Sequence, residues 1–171
     1  IYLHNLKPKY HYLEDIRTFR LRDDLPKDLF ELDILDASFP CSLFSSANLK
    51  ADDKKGKEVK FREGQAKQTL DDLAFETIKL VDKLKPKICV FENVKGIMSS
   101  KMEDGTSIPD EIVKRTEKLG FKTCYKLLKT SNYGVPSNRQ RLIIVGIRKD
   151  FDYFDFSLLD QIVAEYNLPN E

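Results

Sequence analysis

Phe39-Pro40-Cys41-Ser42-Leu43-Phe44 sets a thiol at the end of an apolar stretch, and Glu92-Asn93-Val94 sets a carboxylate fifty-one positions after it, at the end of another. A cysteine with partial exposure and positive surroundings favours the thiolate and can act as a nucleophile. A partly desolvated glutamate keeps its proton to higher pH and can deliver it at neutrality. A third segment, Asn132-Tyr133-Gly134-Val135-Pro136-Ser137-Asn138-Arg139-Gln140-Arg141, brings two arginines just ahead of a further apolar stretch. Cysteine, glutamate and arginine at successive strand termini suggest covalent chemistry on an anionic substrate.

Each group also has a purely structural reading. Free cysteine is among the most buried residue types. Cys89 and Cys124 lie inside apolar stretches and are expected in the core; Cys41, after a proline and before a serine, is the candidate for exposure. Glu92 is either a capping or salt-bridging group or the acid, and Asn93 can brace a neighbouring loop. Arg139 and Arg141, two apart, would face the same side of a strand. They form either a solvated pair or a clamp for a phosphate, a thiolate or a carbonyl oxygen.

The elements that must position these groups follow from pattern. Residues 33–39 read as a strand running into the Pro40-Cys41 turn. Residues 45–67 are lysine-rich, aperiodic and interrupted by Gly56 and Gly64, which predicts a long exposed loop. Thr69 can cap a helix with Asp71 and Asp72 in its first turn and Leu70, Leu73, Ala74, Ile78, Val81 and Leu84 as one apolar stripe. Pro86 ends it. Residues 87–92 form a doubly covered strand of the parallel type, and residues 95–107 a loop. Pro109 and Gly120 bound a second helix. Residues 121–129 and 142–147 form two more strands. Residues 1–32 are mixed with a polar middle from Arg17 to Asp28, which leaves room for one short helix or strand. This order predicts an open α/β sheet whose last two strands are antiparallel, with cysteine and glutamate on the shared carboxyl edge where such sheets bind ligands.

Bulk properties bound the function class. With 171 residues, 41% hydrophobic and 33% charged, the chain suits one soluble domain. A formal charge of +1 leaves nucleic-acid binding to local patches. No apolar run reaches the roughly 18 residues that span a bilayer. Three scattered cysteines and two histidines argue against a zinc site and fit a reducing cytoplasm. The start at Ile1 has neither an initiator methionine nor a signal-peptide pattern and reads as an internal cut.

Together these residues resemble the DNA (cytosine-5) methyltransferases. Phe39-Pro40-Cys41 with Phe44-Ser45 is similar to that family's nucleophile motif, and Glu92-Asn93-Val94-Lys95-Gly96 to its glutamate motif. Tyr133-Gly134-Val135-Pro136 through Arg139, Arg141 and Ile144-Val145-Gly146 is similar to its arginine motif. Leu73-Ala74-Phe75-Glu76 leading to Lys85-Pro86-Lys87 resembles the intervening helix, and Asp15-Ile16 the short aspartate motif that contacts the cofactor's adenine. The resemblance covers roughly residues 12–148.

The resemblance implies an open, doubly wound, Rossmann-like methyltransferase sheet lacking its first central strand. Residues 1–150 would be a partial catalytic domain, and 151–171 a tail or the start of a connection to a recognition region. It implies transfer of a methyl group from S-adenosylmethionine to C5 of cytosine in double-stranded DNA, on a base flipped from the duplex. Cys41 attacks C6, Glu92 holds N3 and the amino group, Arg141 holds O2, and Arg139 supports the nucleophile and a phosphate. Asp15, Leu73 and Ser45 are implied to touch the cofactor, and Phe39, Pro40, Ser42 and Asn93 the substrate.

Ser42 and Ser137 stand where the family usually has glutamine. The glycine-rich first motif and the target-recognition region have no counterpart, so flanking regions or a second chain are expected to supply them, and the chain alone is expected to bind cofactor feebly. A restriction-modification methylase of the cytoplasm is the leading expectation. A transfer-RNA cytosine methyltransferase and a noncatalytic partner subunit are the alternatives.

Overall fold

A computed structural model describes residues 2–39, 73–102, 104–151, 156, 157 and 160. Pro40, Cys41, Ser42, Ser45, the basic stretch 45–67 and the capping residues Thr69, Asp71 and Asp72 lie outside the described residues.

Four strands form one sheet in the order β1-β2-β4-β3: β1 (Ile34–Ala37), β2 (Ile88–Val94), β3 (Phe121–Lys129) and β4 (Gln140–Arg148). β1 and β2 run parallel with Ala37 beside Phe91, so their carboxyl ends open on the same edge. β4 is antiparallel to both β2 and β3. The expected contiguous sheet with an antiparallel final pair is therefore the one observed. Among the described residues β1 has a single sheet neighbour, β2.

Successive strand residues point to opposite faces, and the sheet uses this to separate packing from chemistry. The first face carries Leu35, Cys89, Phe91, Asn93, Phe121, Leu142 and Ile144, all buried. They join one core with α3 (described from Leu73 to Leu84) and α4 (Ile108–Lys118). The second face carries Val90, Glu92, Arg141, Ile143 and Val145, all half-buried.

The helices obey their sequence signals. α3 buries Leu73, Ala74, Ile78, Val81 and Leu84, as its spacing predicts. The chain leaves it through Lys85, at φ 48°, a left-handed cap that a side chain adopts at some cost, and Pro86 bars continuation. Ser107 caps α4 by accepting from Asp110 N at 3.2 Å, Pro109 sits in its first turn, and Gly120 at φ 92° turns the chain into β3. α3 and α4 are further tied by Arg115 lying 4.0 Å over the Phe75 ring.

Two regions differ from expectation. The first thirty-odd residues hold two short helices, α1 (Tyr2–Leu6) and α2 (Ile16–Leu21), and a 3₁₀ turn at Lys27–Phe30. Residues 95–99, expected as loop, form a 3₁₀ helix that buries Ile97 completely.

Gly146 of β4 lies opposite Cys89 in the core. A Cβ there would come within 2.7 Å of Cys89 Sγ and 3.0 Å of Thr123 Oγ1. Gly146→Ala is expected to destabilise the protein by about 1–3 kcal/mol, as overpacked cores do, measurable as a lower urea midpoint.

Candidate active site

The carboxyl edge of β1 and β2 faces the start of β4, because β4 runs the opposite way. Across that junction Glu92 pairs with Ile143 and Val94 with Arg141, which makes Glu92 and Arg141 diagonal neighbours on the second face. Arg141 Nε lies 2.7 Å from Glu92 Oε1. The Nε atom is buried, yet its N–H makes no aligned hydrogen bond, so this is a charge contact with a misdirected donor. Arg141 Nη1 donates instead to the Gln140 carbonyl at 2.8 Å. The side chains are 23% and 35% exposed, so the pair is reachable from solvent.

Asn93, one residue on, turns into the opposite face and is 2% exposed. Its Nδ2 donates to the Phe39 carbonyl at 3.3 Å, and its Oδ1 accepts from Val94 N at 2.8 Å. Phe39 is itself buried, with its ring 6.4 Å from that of Phe91. Asn93 thus fastens the chain two residues before Cys41 to the strand that carries Glu92. Asn93→Ala strands the Phe39 carbonyl in the core. The expected cost is about 1–3 kcal/mol of stability, read from denaturant unfolding.

Arg139 stands one residue ahead of β4, exposed, with its carbonyl accepting from Thr130 N at 2.9 Å. That bond carries the β3–β4 pairing one step beyond Lys129 and Gln140. Neither of the other cysteines competes for a nucleophilic role on this edge. Cys89 is fully buried and its thiol is pushed up to about 12 by desolvation, which keeps it neutral. Cys124 is half-buried within β3.

The candidates for a second ligand lie on α2 and α3. Asp15 caps α2, Oδ1 accepting from Arg17 N at 2.8 Å and Oδ2 lying 3.1 Å from Arg17 Nη1. Its carboxylate is 28% exposed; Oδ1 accepts a second bond from Arg17 Nη1 at 3.3 Å, and Oδ2, which accepts from the same Nη1, is the oxygen with room for another donor. Leu73 is buried at the described start of α3. Glu76, one turn beyond Leu73, was not singled out by the sequence pattern, yet its side chain is 7% exposed and carries a charge. Lys79, then Arg20, holds its carboxyl below the usual carboxylate range against the opposing effect of burial. The one sequence signal for it is a charged residue flanked by the buried positions Ala74, Thr77 and Ile78.

Among the described residues no cluster of His, Cys, Asp and Glu could hold a metal ion, and no helix is long and apolar enough to cross a membrane.

The sequence pattern of the C-5 cytosine-specific DNA methylases matches residues 1–170. Type II methyltransferase M.Bsp6I of Bacillus sp. (strain RFL6) is 31% identical over 157 residues, which is 91% of this chain and 43% of that protein. Type II methyltransferase M.BsuFI of Bacillus subtilis is 32% identical over 130 residues, 76% of this chain and 28% of that protein. Among solved structures, a Spodoptera frugiperda DNMT2 mutant superposes with a TM-score of 0.58 at 20% identity, over 89% of this chain and 40% of that one. Entamoeba histolytica EhMeth gives 0.52 at 16% identity, over 90% of this chain and 42% of that one. Both structures speak to fold alone. The chain spans less than half the length of each of these relatives.

Proposed function

Because the chain belongs to the C-5 cytosine-specific DNA methylase family, we propose that it carries the bond-making part of a methyltransferase acting on C5 of cytosine in DNA. The observation that supports this most is the Glu92–Arg141 pair on the sheet edge reached by the end of β1. The tether from Phe39 to Cys41 is two residues, at most about 7 Å of chain. Asn93 holds the near end of that tether beside Glu92. In this reading Cys41 brings its thiol to the Glu92–Arg141 pair, and the three groups surround a single pyrimidine extruded from the duplex.

Their roles follow from the chemistry of the ring. C6 of cytosine is a poor electrophile until charge on the ring is stabilised. Glu92, donating at N3 and accepting from the amino group, does this from one edge. Arg141, placed at the O2 carbonyl, does it from the other. The Cys41 thiolate gives its electron pair to C6 to form a carbon–sulfur bond, and the C5–C6 π pair shifts to C5. S-adenosylmethionine, when bound, supplies the electrophilic methyl group that C5 takes. Loss of the C5 proton and departure of the thiolate restore the aromatic ring and the enzyme. Arg141 and Glu92 touch each other at 2.7 Å, so the base must enter between them or beside them. The Arg141 side chain is 23% exposed, so its guanidinium is the part of the pair that an incoming carbonyl can approach from solvent.

Asp15, Leu73 and Ser45 are the residues we assign to the cofactor, and Phe39, Pro40, Ser42 and Asn93 to the base and its surroundings. Residues 1–150 form the partial catalytic domain in this reading, and 151–171 a tail or connection. The names of M.Bsp6I and M.BsuFI favour a modification methylase of a restriction system. The test is incubation of the intact protein with labelled S-adenosylmethionine and either duplex DNA or transfer RNA, followed by nucleoside analysis. Label in 5-methyldeoxycytidine is the expected result. Label confined to the RNA nucleoside, or none in either, refutes the proposal.

A further inference from the structure

α2 buries none of its side chains completely. Ile16 and Phe19 only lean on the core. A six-residue helix of this kind needs other restraints to keep one position. Two come from α3. Arg20 Nε of α2 lies 3.1 Å from Glu76 Oε2. Lys83 Nζ donates to the Arg20 carbonyl at 2.7 Å and also to the Arg22 carbonyl. Glu76 and Lys83 are seven residues apart, two turns along one helix face. The lysine meets the carbonyl end of α2, where orphan acceptors and the helix dipole both favour a cation. Both grips therefore act on the last turn of α2, and Asp15 caps its first. The helix is about 9 Å long, so a shift at Arg20 carries to Asp15 as a rigid displacement.

We propose that Glu76 is a positioning residue for the cofactor: through Arg20 it fixes α2 on α3 and so sets where Asp15 stands relative to Leu73. This rests on the assignment of Asp15 and Leu73 to the cofactor. An ion pair whose carboxylate is nearly buried resists sliding better than the exposed pairs that dot the rest of the surface. Leu73 needs no such device, since it rides on α3 itself.

Titration calorimetry of S-adenosylmethionine into the intact protein tests this, using Glu76→Gln, Asp15→Ala and the double variant. Glu76→Gln is expected to weaken cofactor binding by about fivefold, raising KM for the cofactor with kcat unchanged. In the Asp15→Ala background it is expected to add nothing further, because Glu76 acts through Asp15. Arg20→Gln removes the same ion pair from its outer partner and is expected to behave as Glu76→Gln does, which covers a failure of the latter to fold. Unchanged cofactor affinity in Glu76→Gln or Arg20→Gln, with Asp15→Ala weakened, overturns the proposal. So do losses that simply add in the double variant, the mark of a merely structural role. Normal binding by Asp15→Ala overturns the cofactor assignment beneath it, and the proposal with it.

Discussion

Cys41→Ser abolishes the denaturant-resistant complex between the intact protein and a duplex carrying 5-fluorocytosine, and lowers methyl transfer by about 10⁴-fold or more. The fluorine at C5 cannot leave as a proton does, so with S-adenosylmethionine present the reaction stops with sulfur still bound to C6. Serine has nearly the same shape, but its hydroxyl is far less acidic than a thiol and a far weaker nucleophile at neutral pH. Gel electrophoresis after boiling reads the outcome directly. A complex that persists in the serine variant would remove Cys41 from the reaction. Cys89 would not be a credible substitute, with its thiol neutral and sealed in the core.

Glu92→Gln is the second large effect. The amide keeps the shape and can still hydrogen-bond, but it brings neither a proton for N3 nor a charge to balance Arg141. Turnover is expected to fall by about 10²–10⁴-fold, the usual range for a lost acid. Stability should hardly move. The side chains of the pair are 35% and 23% exposed, and breaking a partly solvated ion pair costs about 1 kcal/mol or less. Single-turnover methylation and thermal melting on the same sample separate the two. A variant that melts many degrees lower, with activity lost in proportion, would recast Glu92 as a structural partner of Arg141.

Much of this fold was legible because its signals are local. The stripe from Leu73 to Leu84, the proline and glycine that bound α4, and the two apolar runs of β3 and β4 each announce themselves within a dozen residues. Antiparallel pairing of β3 and β4 followed from two strands in succession with no helix between them. What stayed hidden depends on partners far along the chain. Glu76 looks like an ordinary surface residue of an amphipathic helix until Arg20, 56 positions earlier, is placed against it. The bond from Asn93 to Phe39 crosses 54 positions. Periodicity carries no information about either. The 3₁₀ helix at 95–99 was hidden for another reason: its single buried side chain, Ile97, makes no repeating pattern. Glu92 and Arg141 were each identifiable as candidates, but their direct contact follows from the register between β2 and β4, which a sequence does not print.

That register has an evolutionary corollary. Glu92 and Asn93 are adjacent, yet one meets Arg141 on the solvent side and the other braces the interior, solely because a pleated chain flips at each step. An insertion or deletion of one codon between Ile88 and Glu92 would exchange their destinations and send a carboxylate into the hydrocarbon interior. Connections outside the sheet carry no such constraint, so a change of one residue in length is expected to be far more damaging inside this strand than in the loops that flank it.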